Sequence, residues 1–223
     1  MHKLLMLLMT VPMMAFGIIV AERSEGVGDV IWYYEATSGD DYGWIYAQII
    51  SGYVKYSGDL TIPSILGRWD PLSNGGWTVA AIGKSAFREC TGLTSVKMQY
   101  VDKIEENAFY GCTGLKTVQM GSLTSIGNSA FYGCNNLTNI MSWGAGGVCW
   151  ENIGERAFGG CSELTSIPML NGVTNIGAGV FAGCRGLKSL VVPKTVKSIG
   201  DSALRFRMRS RVLEVMRFMV VAG

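Results

Sequence analysis

Apolar and polar positions alternate along this chain in a phrase repeated five times. The segments "IGKSAFRECTGLTSVKM", "IEENAFYGCTGLKTVQM", "IGNSAFYGCNNLTNIMS", "IGERAFGGCSELTSIPM" and "IGAGVFAGCRGLKSLVV" align without gaps. In each, Ile (82, 104, 126, 153, 176) precedes Phe (87, 109, 131, 158, 181), Cys (90, 112, 134, 161, 184) and Leu (93, 115, 137, 164, 187). Successive cysteines are 22, 22, 27 and 23 residues apart. The second half of each copy follows L-x-x-L-x-L, whose last three positions alternate in and out and predict a short strand. The first half spaces Ile, Ala, Phe and Cys at offsets suited to a helical or 3₁₀ turn with one face inward.

One copy cannot bury its apolar side alone, whereas stacked copies bury a continuous column, Phe over Phe and Leu over Leu. The pattern therefore predicts a leucine-rich α/β solenoid. The wording "IGxxAFxxCxxLxxLxLP" resembles the BspA-type bacterial leucine-rich repeats, over Leu60 to about Leu204. The resemblance implies a right-handed coil of short parallel strands on one face and short helical or 3₁₀ turns on the other. It also implies a secreted or cell-surface bacterial protein, some of whose relatives take part in adhesion.

Like positions in successive coils should lie about 4.8 Å apart, the strand spacing, so the five cysteines are expected to form a buried file. Cysteine is among the most buried residues and acts there as a small hydrophobe. Side chains in one file run parallel, which disfavours the turned geometry of a disulfide, although export would permit one. Cys149 lies outside the file and is expected to be the accessible thiol.

The pattern breaks in three places. Upstream of the first full copy, "VIWYYEAT" and "WIYAQIISGYVKY" read as strands. "GDLTIPSIL" reads as a degenerate coil, and the turn residues of "WDPLSNGGW" suggest a hairpin between Trp69 and Trp77. Residues 22–81 are thus expected to cap the solenoid's N-terminal end with β-structure. Trp32, Tyr34, Trp44 and Tyr46 either pack in that cap or offer a sugar-stacking platform. The second break, "WGAGGVCWEN", lengthens one coil by about five residues and carries Trp143 and Trp150. It is either an exposed recognition loop or a lid folded on the coil's own core. In the third, residues 205–223 abandon the repeat for an arginine-rich segment, after 82–204 hold five full copies and part of a sixth. That segment is either an edge strand with an arginine face for an anionic partner or an improvised cap left by an interrupted repeat.

Residues 1–21 are uncharged apart from Lys3, apolar, and interrupted by Pro12 and Gly17. They read as a secretory signal peptide and not a spanning helix, so no membrane span is expected after its removal. Residues 22–204 carry 13 basic and 16 acidic side chains. This leaves no basic stripe for nucleic acid.

Little chemistry remains. His2, the one histidine, lies in the leader, so the rest of the chain cannot run a histidine-based relay or build a histidine metal site. Glu105 and Glu106 sit at variable turn positions. "TVAAIGKS" lacks the leading glycine of a phosphate loop, and "NLT" at 136–138 has a core leucine, Leu137, beside its acceptor Asn136. No cofactor is expected, and no enzymatic activity. The strands' outward positions give a hydroxyl-lined ribbon with Lys97, Lys116, Gln119, Asn139, Met141 and Lys188. Together with Trp143 and Trp150, these are the candidate contacts for an extracellular protein or glycan. The other reading is a structural spacer, or a fragment of a larger surface protein.

Overall fold

The computed structural model describes residues 19–23, 31–37, 46–51, 57–62, 65–66, 77–121, 123–142, 150–168, 172–188 and 190–205. Two sheets run along one stack of coils. The larger contains β1 (Ile19–Arg23), β2 (Ile31–Thr37), β3 (Tyr46–Ser51), β5 (Ile65–Leu66), β6 (Trp77–Ile82), β8 (Lys103–Ile104), β10 (Ser125–Ile126), β12 (Asn152–Ile153), β13 (Asn175–Ile176) and β14 (Ser198–Ile199). The smaller contains β4 (Ser57–Thr61), β7 (Gly92–Met98), β9 (Thr117–Met120) and β11 (Asn139–Ser142).

The N-terminal strands pair antiparallel, β1 with β2 and β2 with β3. From β3 through β6 to β14 the main path of the larger sheet is parallel, with Ile82, Ile104, Ile126, Ile153, Ile176 and Ile199 in direct register. The expected leader boundary after Ala21 falls inside β1, where Ala21 pairs with Tyr33. Antiparallel β5 and β6 are the arms of the expected hairpin; its tip, 67–76, lies outside the described residues. So do the side chains of Trp32, Tyr34, Trp44 and Tyr46.

The stacking prediction holds. Neighbouring rings from Phe87 through Phe109, Phe131 and Phe158 to Phe181 lie 5.1–5.9 Å apart and within 7° of parallel. Leu93, Leu115, Leu137 and Leu164 are fully buried, and the described core holds no buried polar or charged residue. A further file lies three residues before each Ile, in Val101, Leu123, Trp150 and Val173.

The half of each copy expected to be helical or 3₁₀ forms isolated turns with bonds back three residues, and no continuous helix occurs among the described residues. Alternate amides divide their bonding. Ala86, Arg88 and Cys90 N–H groups bond back three residues, whereas those of Ser85, Phe87 and Glu89 donate to the next coil, at Glu106, Ala108 and Tyr110 carbonyls. Left-handed residues three and seven positions after each Ile, such as Ser85 (φ 57°) and Glu89 (φ 59°), break the helical sense. They turn every second amide along the stack, so these corners are cross-linked much as strands are.

Four coils place Gly at the second left-handed position, as Gly111, Gly133, Gly160 and Gly183 with φ of 69–82°. Glu89 is the exception, and a side chain there carries the left-handed penalty. Its pair with Arg88 is exposed and adds little. Glu89→Gly should therefore stabilise the protein by about 0.5–1 kcal/mol. The check is a raised urea midpoint at constant m-value.

The L-x-x-L-x-L strand forms in the first copies but not over Leu164–Pro168 or around Leu187–Leu190. Pro168 occupies the position of Met141 in the preceding coil and has no N–H for the ladder. Leu164, Leu187 and Leu190 remain buried without it.

Candidate recognition surface

Parallel register makes the outward positions of the smaller sheet into rows. Thr61, Lys97, Gln119 and Met141 form one, and Asp59, Ser95, Thr117 and Asn139 another. Lys97, Lys116, Asn139 and Lys188 are exposed, Gln119 is half-buried, and Met141 retains 38% of its surface. Because side chains alternate across a strand, the inward Val96, Val118 and Ile140 that fill the core oblige their neighbours to face out.

One end of this face is organised by a residue that periodicity did not single out. Asp59 Oδ1 accepts from Ser95 Oγ at 2.6 Å and from Thr94 Oγ1 at 2.8 Å. These hydrogen bonds, Ser95's foremost, hold its carboxyl below the usual carboxylate range, with Lys97 assisting. The lysines therefore share their face with a fixed anion. Further along, Thr138 and Thr165 hydroxyls donate to the carbonyls of Lys116 and Thr138, tying those hydroxyls to the coil below.

Trp150 is corrected. It is completely buried, its ring 5.9 Å from that of Phe158, at the position Val101, Leu123 and Val173 occupy in other coils. It cannot meet a partner without unfolding its coil. The choice between recognition loop and lid goes to the core for this residue. Trp143 and Cys149 lie outside the described residues.

The five cysteines of the file are buried free thiols. Cys112, Cys134, Cys161 and Cys184 Sγ donate to the carbonyls of Phe87, Phe109, Phe131 and Phe158 in the preceding coil, at 3.0–3.2 Å. Cysteine is thus small enough for the file and still supplies one donor between coils. Burial pushes the Cys134 and Cys161 thiols well above their ordinary value, and Cys184 from 9.0 to about 12.

A raised thiol pKa stabilises the fold fully below the unfolded value and is lost as pH climbs toward the folded one. Between pH 9 and 12 the Cys184 thiol alone should therefore remove about 1.4 kcal/mol per pH unit. Urea titrations across that range should show the loss, and Cys184→Ser should reduce its slope by about that amount, leaving the part due to Cys134 and Cys161.

Among the described residues, no three potential metal-binding side chains converge. Glu106 is paired with Lys84 at 2.7 Å on an exposed corner, the solvated turn expected of it.

A second surface, missed by the sequence reading, lies over the larger sheet. An open groove of about 550 Å³ runs from Ile126 to Gly200 across four coils. Its polar lining comes from the residue before each Ile (Asn152, Asn175, Ser198) and from Asn128 and Glu155. The signal is present as the "NI", "NI" and "SI" at 152–153, 175–176 and 198–199, one residue ahead of where the repeated phrase begins.

The chain is similar in structure to a leucine-rich cell surface protein of Faecalibacterium prausnitzii, with a TM-score of 0.62 and 26% identity over 86% of this chain and 47% of that one. It is also similar to the pneumococcal vaccine antigen PcpA, with a TM-score of 0.50 and 17% identity over 84% of this chain and 53% of that one; this second likeness concerns the fold alone. The chain thus spans about half the length of each. No curated protein sequence matches it significantly. The model of the BspA-type leucine-rich repeat region matches residues 80–208 in six copies, and the chain belongs to that family.

Proposed function

We propose that this protein is an exported, non-catalytic recognition or adhesion module that works at the bacterial surface or beyond it. The observation that carries this reading is the fixed, in-register outward face of the smaller sheet. There Lys97, Lys116, Gln119, Asn139 and Met141 stand exposed or half-exposed on a rigid stack, with Lys188 two coils further on. Such a face is broad and shallow, which suits a protein or glycan better than a small molecule in a pocket. Membership of a family of bacterial repeat proteins supports it, as does likeness to a protein described as a cell surface protein.

The test is capture of extracellular-matrix proteins, mucins and glycans by the purified chain. Saturable binding, weakened at least about tenfold by combined Lys97→Ala, Lys116→Ala and Met141→Ala as interface contacts add up, is the expected result. Absence of saturable binding would leave the chain as a structural spacer within a longer surface protein.

A further inference from the structure

The groove over the larger sheet is built differently from the outward face of the smaller one. Its floor is bare backbone, because each Ile is followed by Gly. A Cβ on Gly154 or Gly177 would stand 2.6 Å from backbone atoms of the coil before it. Glycine is thus required by coil packing, and the groove follows from that requirement.

Its walls are pre-ordered. Asn175 Nδ2 donates to Asn152 Oδ1 at 2.6 Å, and Ser198 Oγ donates to Asn175 Oδ1 at 2.8 Å, so three coils share one hydrogen-bonded ladder. Asn128 Oδ1 accepts the Glu155 N–H at 2.8 Å, which fixes that amide with its Nδ2 outward of the bond. The ladder leaves Asn152 Nδ2 as donor, while the Glu155 carboxylate is acceptor only.

These groups narrow the ligand. No Lys, Arg or His lines the groove, so an anion has nothing to pair with. Ile126, Ile153 and Ile176 point into the core, and Ile199 is the one lining isoleucine left exposed, at 37%, so the apolar lining is backbone carbon and one end of the groove. A ligand matching both amide donors and carboxylate acceptors needs groups that give and accept, which hydroxyls do. Spacing separates the remaining candidates. Coils succeed one another at 5.1–5.9 Å, judged by their Phe rings. An extended peptide presents like groups about every 6.6–6.8 Å, and drifts out of phase within three coils. We infer that the groove binds a neutral, linear oligosaccharide laid along the stack, hydroxyls against Asn128, Asn152, Glu155, Asn175 and Ser198. This site is separate from the face of the smaller sheet.

The experiment titrates the full chain, labelled with ¹⁵N, with cellohexaose, mannohexaose and xylohexaose, and with an uncharged threonine–glycine hexapeptide. At least one hexasaccharide should shift the side-chain amide signals of Asn128, Asn152 and Asn175 saturably, leaving Gln119 and Asn139 in place. Asn152→Ala with Asn175→Ala should weaken that binding about tenfold, while Lys97→Ala with Lys116→Ala should not change it. Should the asparagine pair disturb folding, Glu155→Gln replaces it, since it keeps the backbone bond to Asn128, and it too should weaken binding. The inference is overturned if no hexasaccharide gives a saturable shift, if only the peptide does, or if the shifts fall on Gln119 and Asn139. It is equally overturned if folded groove variants bind as tightly as the parent. A loss of matrix or mucin capture confined to the Lys97 and Lys116 variants would bear on the other face alone.

Discussion

Phe131→Ala is expected to lower the unfolding free energy by about 3–5 kcal/mol, the range for truncating a buried aromatic. The ring has no exposed surface and lies between Phe109 and Phe158, 5.1 and 5.4 Å away. Its removal opens the column at its middle, where both neighbouring coils lose a contact. Backbone bonds resist collapse of the gap. Phe131 N–H donates to the Ala157 carbonyl in the next coil, and its own carbonyl receives the Cys161 thiol. Relaxation is therefore limited and the upper half of the range is favoured. Urea unfolding followed by circular dichroism gives the value. Lys84→Ala, on an exposed corner, serves as the control that should leave the midpoint nearly unchanged.

Trp150→Ala is expected to cost a similar amount, about 3–5 kcal/mol, and this separates two accounts of the lengthened coil. A tryptophan held for a partner would be lost from binding with little change in stability. A tryptophan filling the core would be lost from stability first. Its burial, and its ring against Phe158, place it in the second class. Valine, the residue of Val101 and Val173 at this position, should recover only part of the loss. Tryptophan is much larger than valine, so a cavity would remain. Intrinsic fluorescence offers an independent check as the difference between parent and Trp150→Phe, because this indole, one of six, should be shielded from quenchers until the protein unfolds.

The repeat made the stack legible, because burying one unit requires the next and five copies in phase leave few alternatives. Phe, Cys and Leu files, the outward row of the smaller sheet and the strands near residues 31–37 and 46–51 all follow from periods visible in the chain. That the corners stop at isolated turns was not legible for a definite reason. Ile, Ala, Phe and Cys at those spacings suit a helical face, and only the left-handed residues between them exclude it. Ser85, Glu89, Asn107 and Arg156 do not announce a positive φ as the later glycines do. Trp150 was misplaced because an insertion beside it obscured its phase. Counted back from Ile153 instead of forward from Ile140, it falls in the file of Val101, Leu123 and Val173. Asp59 and the groove were missed because their partners lie in other coils, at distances of 23–36 residues along the chain.

Aromatic nuclear Overhauser spectra of a sample labelled only at phenylalanine test the in-register stack most directly. Ring-to-ring cross-peaks should link Phe109 with Phe131 and Phe131 with Phe158, and should run on to Phe87 and Phe181, given centroids 5.1–5.9 Å apart. Cross-peaks absent between these neighbours, or present between rings two coils apart, would contradict the column on which every other conclusion rests.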